Sequence, residues 1–179
     1  MKINKYITVG GQGTRLSNLS TLEKQYLYYQ NKKIIDHILN IFPDAKIIGK
    51  NKTASRLDTL KLIQDRNDIL IIDCDIIPFG INITNLDISQ DAVYVFNSVK
   101  NKYSSVIIEN NRIIKYSENN SISNTKCSGV YFIKNLDILI NNIQHKDSLV
   151  SGMIGANIIL ENTFKRMGDI EDYYEAIGL

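Results

Sequence analysis

The sequence lacks most of the features that would place it in a special class. It has no tryptophan, two prolines and two cysteines in 179 residues. Cys74 and Cys127 are far apart and form no CxxC pattern, which removes a metal knuckle or a disulfide framework, and both are expected to be buried thiols. The two histidines, His37 and His145, pair with no serine or cysteine in a nucleophile arrangement and are expected to be structural or exposed. No run approaches the ~18 apolar residues of a membrane span. The apolar part of the opening MKINKYITVGG, residues 6–9, is too short for a signal-peptide core, so a cytoplasmic protein with no membrane role is expected. Charge of one sign is also lacking. With 21 Lys and Arg against 19 Asp and Glu the net charge is +2, and the lysines are scattered among the acids, which argues against a nucleic-acid partner. No repeat, low-complexity segment or proline-rich linker divides the chain, and its length and 44% hydrophobic content suit a single domain over 1–179.

What is present concentrates in residues 9–24, VGGQGTRLSNLSTLEK. Gly10, Gly11 and Gly13 leave three of four consecutive positions without side chains, so backbone N–H groups can approach an anion directly. Gln12 and Thr14 complete the loop. Arg15 adds a planar fork of donors and Lys24, eleven residues after Gly13, a mobile point charge. A loop of this kind after a short strand describes a cradle for a triphosphate. It is not a Walker A loop, because no Gly-Lys-Ser/Thr follows at the required spacing. Nor is it a Rossmann fingerprint, because Leu16 stands where the third glycine should be.

The remaining pattern predicts how the loop is supported. Residues 6–9, 45–49 (AKIIG) and 68–73 (DILIID) read as strands. Ile34, Ile35, Ile38, Leu39 and Phe42 recur at helical spacing up to Pro43, and Leu57, Leu60 and Ile63 mark a second helix. Strands alternating with helices predict right-handed crossovers and a parallel sheet. Residues 92–97, 104–109, 112–117 and 130–133 are strand-like, with a hairpin signal at Asn110-Asn111, so the sheet becomes mixed; a helical run around 149–160 and a last helix from about 170 are expected to close it. Asp73-Cys74-Asp75 ends the apolar run ILII on the sheet edge that also carries the glycine loop, where ligands of open α/β sheets bind. Paired aspartates there suit Mg²⁺, although a strand ending in a polar turn would read the same without the loop.

GGQGTRL, the step Glu23-Lys24-Gln25 and the segment KIIDHIL at 33–39 together resemble the sugar nucleotidyltransferases (nucleoside-diphosphate-sugar pyrophosphorylases), whose amino terminus reads roughly AAGxGTRLxPLTxxxPKxL and continues to a KPIIDHIL-like segment. The resemblance implies an α/β fold: a three-layer α/β/α domain with a mixed, mainly parallel sheet, GT-A-like and Rossmann-like. It makes Arg15 and Lys24 catalytic and Gly10, Gly11, Gln12, Gly13 and Thr14 substrate-binding. Asp75 matches the metal-binding aspartate of VLNGD, with Asp73 as an additional carboxylate, and the implied cofactor is Mg²⁺ or Mn²⁺. Residues 101–132 resemble the substrate-face strand, EKP-like site and SGIYVF strand of the family. Glu118 matches the EKP glutamate, but Asn119 and Asn120 replace its lysine and proline, which leaves Lys115 or Lys126 to meet the acceptor.

The ending FKRMGDIEDYYEAIGL resembles WxDIGTPEDYxxA, with Gly168, Glu171, Asp172, Tyr173 and Ala176 in register. Arg166 stands where the family has its second metal-binding aspartate, and a guanidinium cannot ligate a cation, so Asp169 is the substitute ligand expected. The chain also departs from the family at Glu23, where a proline is usual. The implied activity joins a nucleoside monophosphate from a nucleoside triphosphate to a sugar 1-phosphate or similar small phosphorylated acceptor and releases pyrophosphate. Three other readings stay open: a CTP-dependent cytidylyltransferase of a phosphorylated amino alcohol or amino acid, serving surface polysaccharides; a glycosyltransferase, for which DCD is the one feature; and a nucleotide-binding protein without catalysis, suggested by Arg166 and the missing EKP lysine. The nucleotide, the acceptor and the oligomeric state are not specified by the sequence.

Overall fold

A computed structural model of the chain describes residues 2–9, 23–49, 53–84, 86–118, 120–145, 148–161 and 163–179. The apolar run ILII makes β5 (Asn67–Asp73) a strand buried on both faces, and it sits inside an eight-stranded sheet. β1 (Asn4–Thr8) pairs with it in parallel and carries β4 (Lys46–Ile48), also parallel, on its other side. On the far side of β5 lies the long β10 (Thr125–Asn135), followed by β7 (Ala92–Asn97), β11 (Asn157–Leu160), β9 (Arg112–Ser117) and β8 (Ser105–Glu109). β10 runs antiparallel to both β5 and β7, while β11 is parallel to β7. Three of the seven neighbour pairings are therefore parallel and four antiparallel, which corrects the expectation of a mainly parallel sheet.

Helices cover both faces, and strand alternation decides which residues they meet. Leu70 and Ile72 of β5 point to the face covered by α1 (Ile34–Ile41) and α4 (Ile170–Ile177), where Ile34, Ile35 and Ile38 are buried. Ile69 and Ile71 point to the opposite face, under α2 (Arg56–Lys61) and α3 (Leu136–Asn142), against Leu60, Leu136 and Leu139. Each fully buried side chain of this size contributes roughly 1.5–3 kcal/mol by removal from water. Side-chain oxygens accept the first free N–H groups of three helices: Ser55 from Asp58 at the start of α2, Asn135 from Ile138 at α3 and Asp169 from Asp172 at α4. No helix among the described residues is long and apolar enough to cross a membrane.

One local expectation is overturned. Residues 149–160 do not form a helix: a 3₁₀ turn at Val150–Gly152 leads through Gly155, at φ +88°, into β11. The β-branched pair Ile158-Ile159 finds a partner in β7, and that pairing outweighs the weak helical spacing. In contrast, the segment after β10 is helical because Asn135 caps it, a signal that its seven residues are too short to show as periodicity. The hairpin at Asn110-Asn111 is present, with both residues at positive φ.

Gly129 lies where the register of β10 shifts between Cys127 and Tyr131, at φ +96°, and an added Cβ would run into Ile76 Cδ1 and lie 2.8 Å from Asp73 Oδ2. Gly129→Ala is expected to cost about 3 kcal/mol or more, from a strained φ plus overpacking. Gly155→Ala has open space around its Cβ and should cost only about 1 kcal/mol, from φ alone. Urea unfolding of the two variants measures the difference.

Candidate active site

Asp73 ends β5 beside Thr8, its register partner at the end of β1, so both parallel strands deliver their carboxyl ends to one place. Thr8 Oγ1 donates to Asp73 Oδ1 at 3.2 Å, and Arg56, the first residue of α2, forms an ion pair with the same oxygen. The Arg56 guanidinium also lies 5.9 Å from the ring centre of Tyr131. Two residues on, Asp75 receives Lys24 Nζ at 3.2 Å on Oδ2. The chain then forms β6 (Ile76–Ile77), which pairs antiparallel with β12 (Lys165–Arg166), placing Arg166 opposite Ile76 and bringing the Met167 N–H to the Asp75 carbonyl at 2.8 Å. Gly168 permits this approach: a Cβ there would stand 2.9 Å from Asp75 Oδ2 and 3.7 Å from Arg166 Nε.

The result is a cluster of two carboxylates and three cations. Burial pushes the Asp75 carboxyl up, but Lys24, Arg166 and Arg56 outweigh it and hold Asp75 below the usual carboxylate range. Arg166 donates Nη1 to the Ser128 carbonyl at 3.2 Å and stacks 4.8 Å from the ring centre of Tyr103. Its Nε is buried with no hydrogen-bond partner among the described residues, 3.9 Å from Asp172 Oδ2. Asp172 is itself nearly fully buried and takes Tyr103 Oη at 2.5 Å, Lys102 at 2.9 Å and Lys100 at 3.7 Å on Oδ1. A cavity of about 320 Å³ opens here, lined by the rings of Phe96, Tyr103 and Phe164 and by Lys165, Arg166 and Glu175 among others.

The site residues expected from sequence are distributed unevenly over this arrangement. Lys24, Asp73 and Asp75 meet at the sheet edge. Gly10, Gly11, Gln12, Gly13, Thr14 and Arg15 lie outside the described residues, which reach Val9 and resume at Glu23. Glu118 accepts from Ser104 at 2.6 Å and from Ser148. Lys126, expected to meet the acceptor, is instead fully buried under its own preceding loop, with Nζ on Ser123 O at 2.8 Å and on Ser121 Oγ; burial pushes its ammonium below the usual lysine range. Lys115 is exposed on β9. Asp169 caps α4 and pairs with Lys102 at 2.8 Å. His37 binds the Tyr29 carbonyl at 2.7 Å, a structural role, and both cysteines are buried. Sequence reading missed Arg56. Its signal was the cap serine just before it, which starts a helix from a loop at the carboxyl edge of the sheet.

These donors do not fit a resident Mg²⁺ or Mn²⁺. Among the described residues no group of three or more His, Cys, Asp or Glu side chains is placed to hold a metal ion. Asp73 and Asp75 are each engaged by a cation, Arg56 and Lys24 respectively, and Arg166 lies between Asp75 and Asp172. Mg²⁺ is ordinarily held by one or two carboxylates with substrate phosphates and water, and here both carboxylates already carry a cation before substrate arrives.

A mixed sheet with helices on both faces, and a cluster of charged groups where β1 and β5 end, define the nucleotidyltransferase fold that the motifs resemble. No protein-family model matches the sequence, and no curated protein matches it. Solved structures do. The chain is similar to the CTP:phosphocholine cytidylyltransferase of Streptococcus pneumoniae, with 13% identity over 99% of each chain and a TM-score of 0.77. It is similar to the nucleoside-diphosphate-sugar pyrophosphorylase of Vibrio cholerae RC9, with 13% identity over 98% of this chain and all of the other and a TM-score of 0.73. A UDP-glucose pyrophosphorylase complexed with UDP-glucose aligns with 14% identity over 99% of this chain and 98% of its own, at a TM-score of 0.74. Identities this low establish the fold, while the roles of individual residues rest on the motifs and on the geometry.

Arg56→Met leaves Asp73 without its guanidinium and is expected to lower stability by about 2–3 kcal/mol, less than for a fully buried pair because Arg56 keeps some contact with water. Urea unfolding measures it. Acid provides a separate check on Asp75. Because its folded pKa lies below the ordinary value of about 3.9, its contribution to stability is complete above that pH and fades as pH falls through the lower folded value. The difference in thermal midpoint between wild type and Asp75→Asn should therefore narrow from about pH 4 to pH 2.

Proposed function

We propose that the protein is a nucleotidyltransferase that moves a nucleoside monophosphate from a nucleoside triphosphate to a small phosphorylated acceptor, foremost a sugar 1-phosphate, and releases pyrophosphate. The observation that carries this reading is the gathering of Lys24, Arg56 and Arg166 around Asp73 and Asp75 where β5 ends beside β1, the strand that precedes the GGQGTR loop. The reaction asks for little proton transfer. An oxygen of the acceptor phosphate bonds to the α-phosphorus, the bond from that phosphorus to the bridging β-oxygen breaks, and the electron pair leaves with pyrophosphate. The obstacle is the repulsion between two anions and their alignment, which fixed cations overcome by charge and position. Lys24 would neutralise charge growing at the α-phosphate, held in place by Asp75. The backbone of Gly11, Gln12, Gly13 and Thr14, with Arg15, would hold the β- and γ-phosphates. The cavity beside Arg166 would take the acceptor.

A second acceptor class is favoured by the walls of that cavity. The rings of Phe96, Tyr103 and Phe164 suit a cationic amine, and Lys165, which lines the same cavity, suits the phosphate of the same molecule. A phosphorylated amino alcohol combines the two, and with CTP as donor it would make the protein a cytidylyltransferase, like its Streptococcus pneumoniae structural neighbour.

Pyrophosphate release from ATP, CTP, GTP, UTP and dTTP, measured with a panel of sugar 1-phosphates, phosphocholine and phosphoethanolamine, tests both forms. At least one pair should turn over, and Lys24→Ala should reduce its kcat by about 10²-fold with the fold intact. Silence across the panel would support the non-catalytic reading instead.

A further inference from the structure

Arg166 faces Asp75 from near the carboxyl end of the chain, since β12 lies against β6 immediately after the aspartate turn. Three contacts hold it there. Nη1 is tied to the Ser128 carbonyl, the guanidinium plane rests on Tyr103, and Asp75 supplies the counter-charge. The group is thereby fixed in orientation, its buried Nε facing Asp172 Oδ2 at 3.9 Å, and its side chain forms part of the open cavity wall. Arg56 and Lys24 flank the same two carboxylates from α2 and from the segment just before β2 (Tyr28–Tyr29). A dication entering here would have to separate Lys24 from Asp75 and sit between positive side chains. An anion meets the opposite situation: three cations already oriented, two of them planar forks matched to phosphate oxygens.

We infer that Arg166, together with Arg56 and Lys24, does the work of a divalent ion in this site, so that the phosphates of a nucleoside triphosphate bind directly to side-chain cations and nucleotide affinity does not depend on Mg²⁺ or Mn²⁺. The inference rests on the nucleotidyltransferase reading above and adds to it the source of the positive charge. Asp73 and Asp75 act in this scheme as positioning residues. They hold the cations apart and aim them, and their charge is spent before substrate arrives.

Titration calorimetry with ATP, CTP, GTP, UTP and dTTP, each in Mg²⁺ and in excess chelator, tests it. Wild type should bind at least one of them in chelator within about threefold of its affinity in Mg²⁺. Arg166→Ala should weaken that binding in chelator by about 10–100-fold in protein that remains folded, and Arg166→Lys, which keeps the charge but loses the fork, by clearly less. Arg166→Asp supplies the complementary result: with a second carboxylate facing Asp75, the nucleotide-free protein should bind Mn²⁺, read as loss of the free-ion resonance signal, whereas wild type should leave that signal unchanged. Nucleotide binding by wild type that falls about 100-fold or more in chelator, Mn²⁺ held by wild type without nucleotide, or a folded Arg166→Ala with unchanged affinity in chelator would each overturn the inference and leave the function reading standing. If no triphosphate in the panel binds in either buffer, the function reading falls and takes this inference with it. Should Arg166→Ala not fold, the chelator comparison on wild type and Arg166→Lys carries the decision.

Discussion

Two aspartates at the end of a strand buried on both faces are the constraint around which the rest is arranged. A carboxylate at the end of β5 loses most of its water, and an unpaired buried charge would cost several kcal/mol. The chain supplies partners from three remote segments. Arg56 comes from the first turn of α2, Lys24 from the segment before β2, and Arg166 from β12 near the carboxyl end. Each partner in turn demands a local accommodation. α2 must start at the sheet edge, which its Ser55 cap ensures. Gly168 must lack a side chain so that β12 can approach Asp75, and Gly129 must lack one so that β10 can pass over Asp73.

The same arrangement explains which parts of the molecule could be read from its sequence. β1, β5 and α1 were legible because burial on a sheet face or a helix face leaves a period in the order of apolar residues, and Ile34, Ile35 and Ile38 follow it closely. The sheet edge was legible for a related reason: Asp73 and Asp75 are the first polar residues after ILII, so their position at a strand end follows from hydropathy alone. The direction of β10 was not legible. Its apolar residues alternate in the same way whether the strand runs parallel or antiparallel, and only the path of the intervening chain decides. Arg56 was missed because a basic residue after a helix cap is common on surfaces, and its partner Asp73 is seventeen residues away. Arg166 was noticed only as a departure from a motif. Nothing in the sequence showed that it would be buried against Tyr103 with its Nε facing Asp172, since both facts depend on β6 and β12 pairing.

Lys126 and Asp169 illustrate the limit of carrying roles along a motif. Each is chemically able to do what the resembling family would ask of it, yet each has local partners that satisfy it first. Lys126 is held by the hydroxyl of Ser121 and the carbonyl of Ser123 in the loop that precedes it, and Asp169 is the cap of α4 with Lys102 beside it. Short-range hydrogen bonds cost little chain entropy to form, so a polar side chain that can close one nearby commonly does so.

The place of β10 in the sheet also bears on how the chain is made. β5 and β7 never touch as ladder partners; the strand that joins them is synthesised after both. As the polypeptide leaves the ribosome, β4, β1 and β5 can assemble at once, but the far edge of β5 then waits, with a row of unpaired N–H and C=O groups along its most apolar segment, until residues 125–135 emerge. Exposed strand edges of this kind recruit other chains. The interval between making β5 and making β10 is therefore the period in which a nascent copy is most vulnerable to aggregation, and slow translation of residues 74–124 lengthens it.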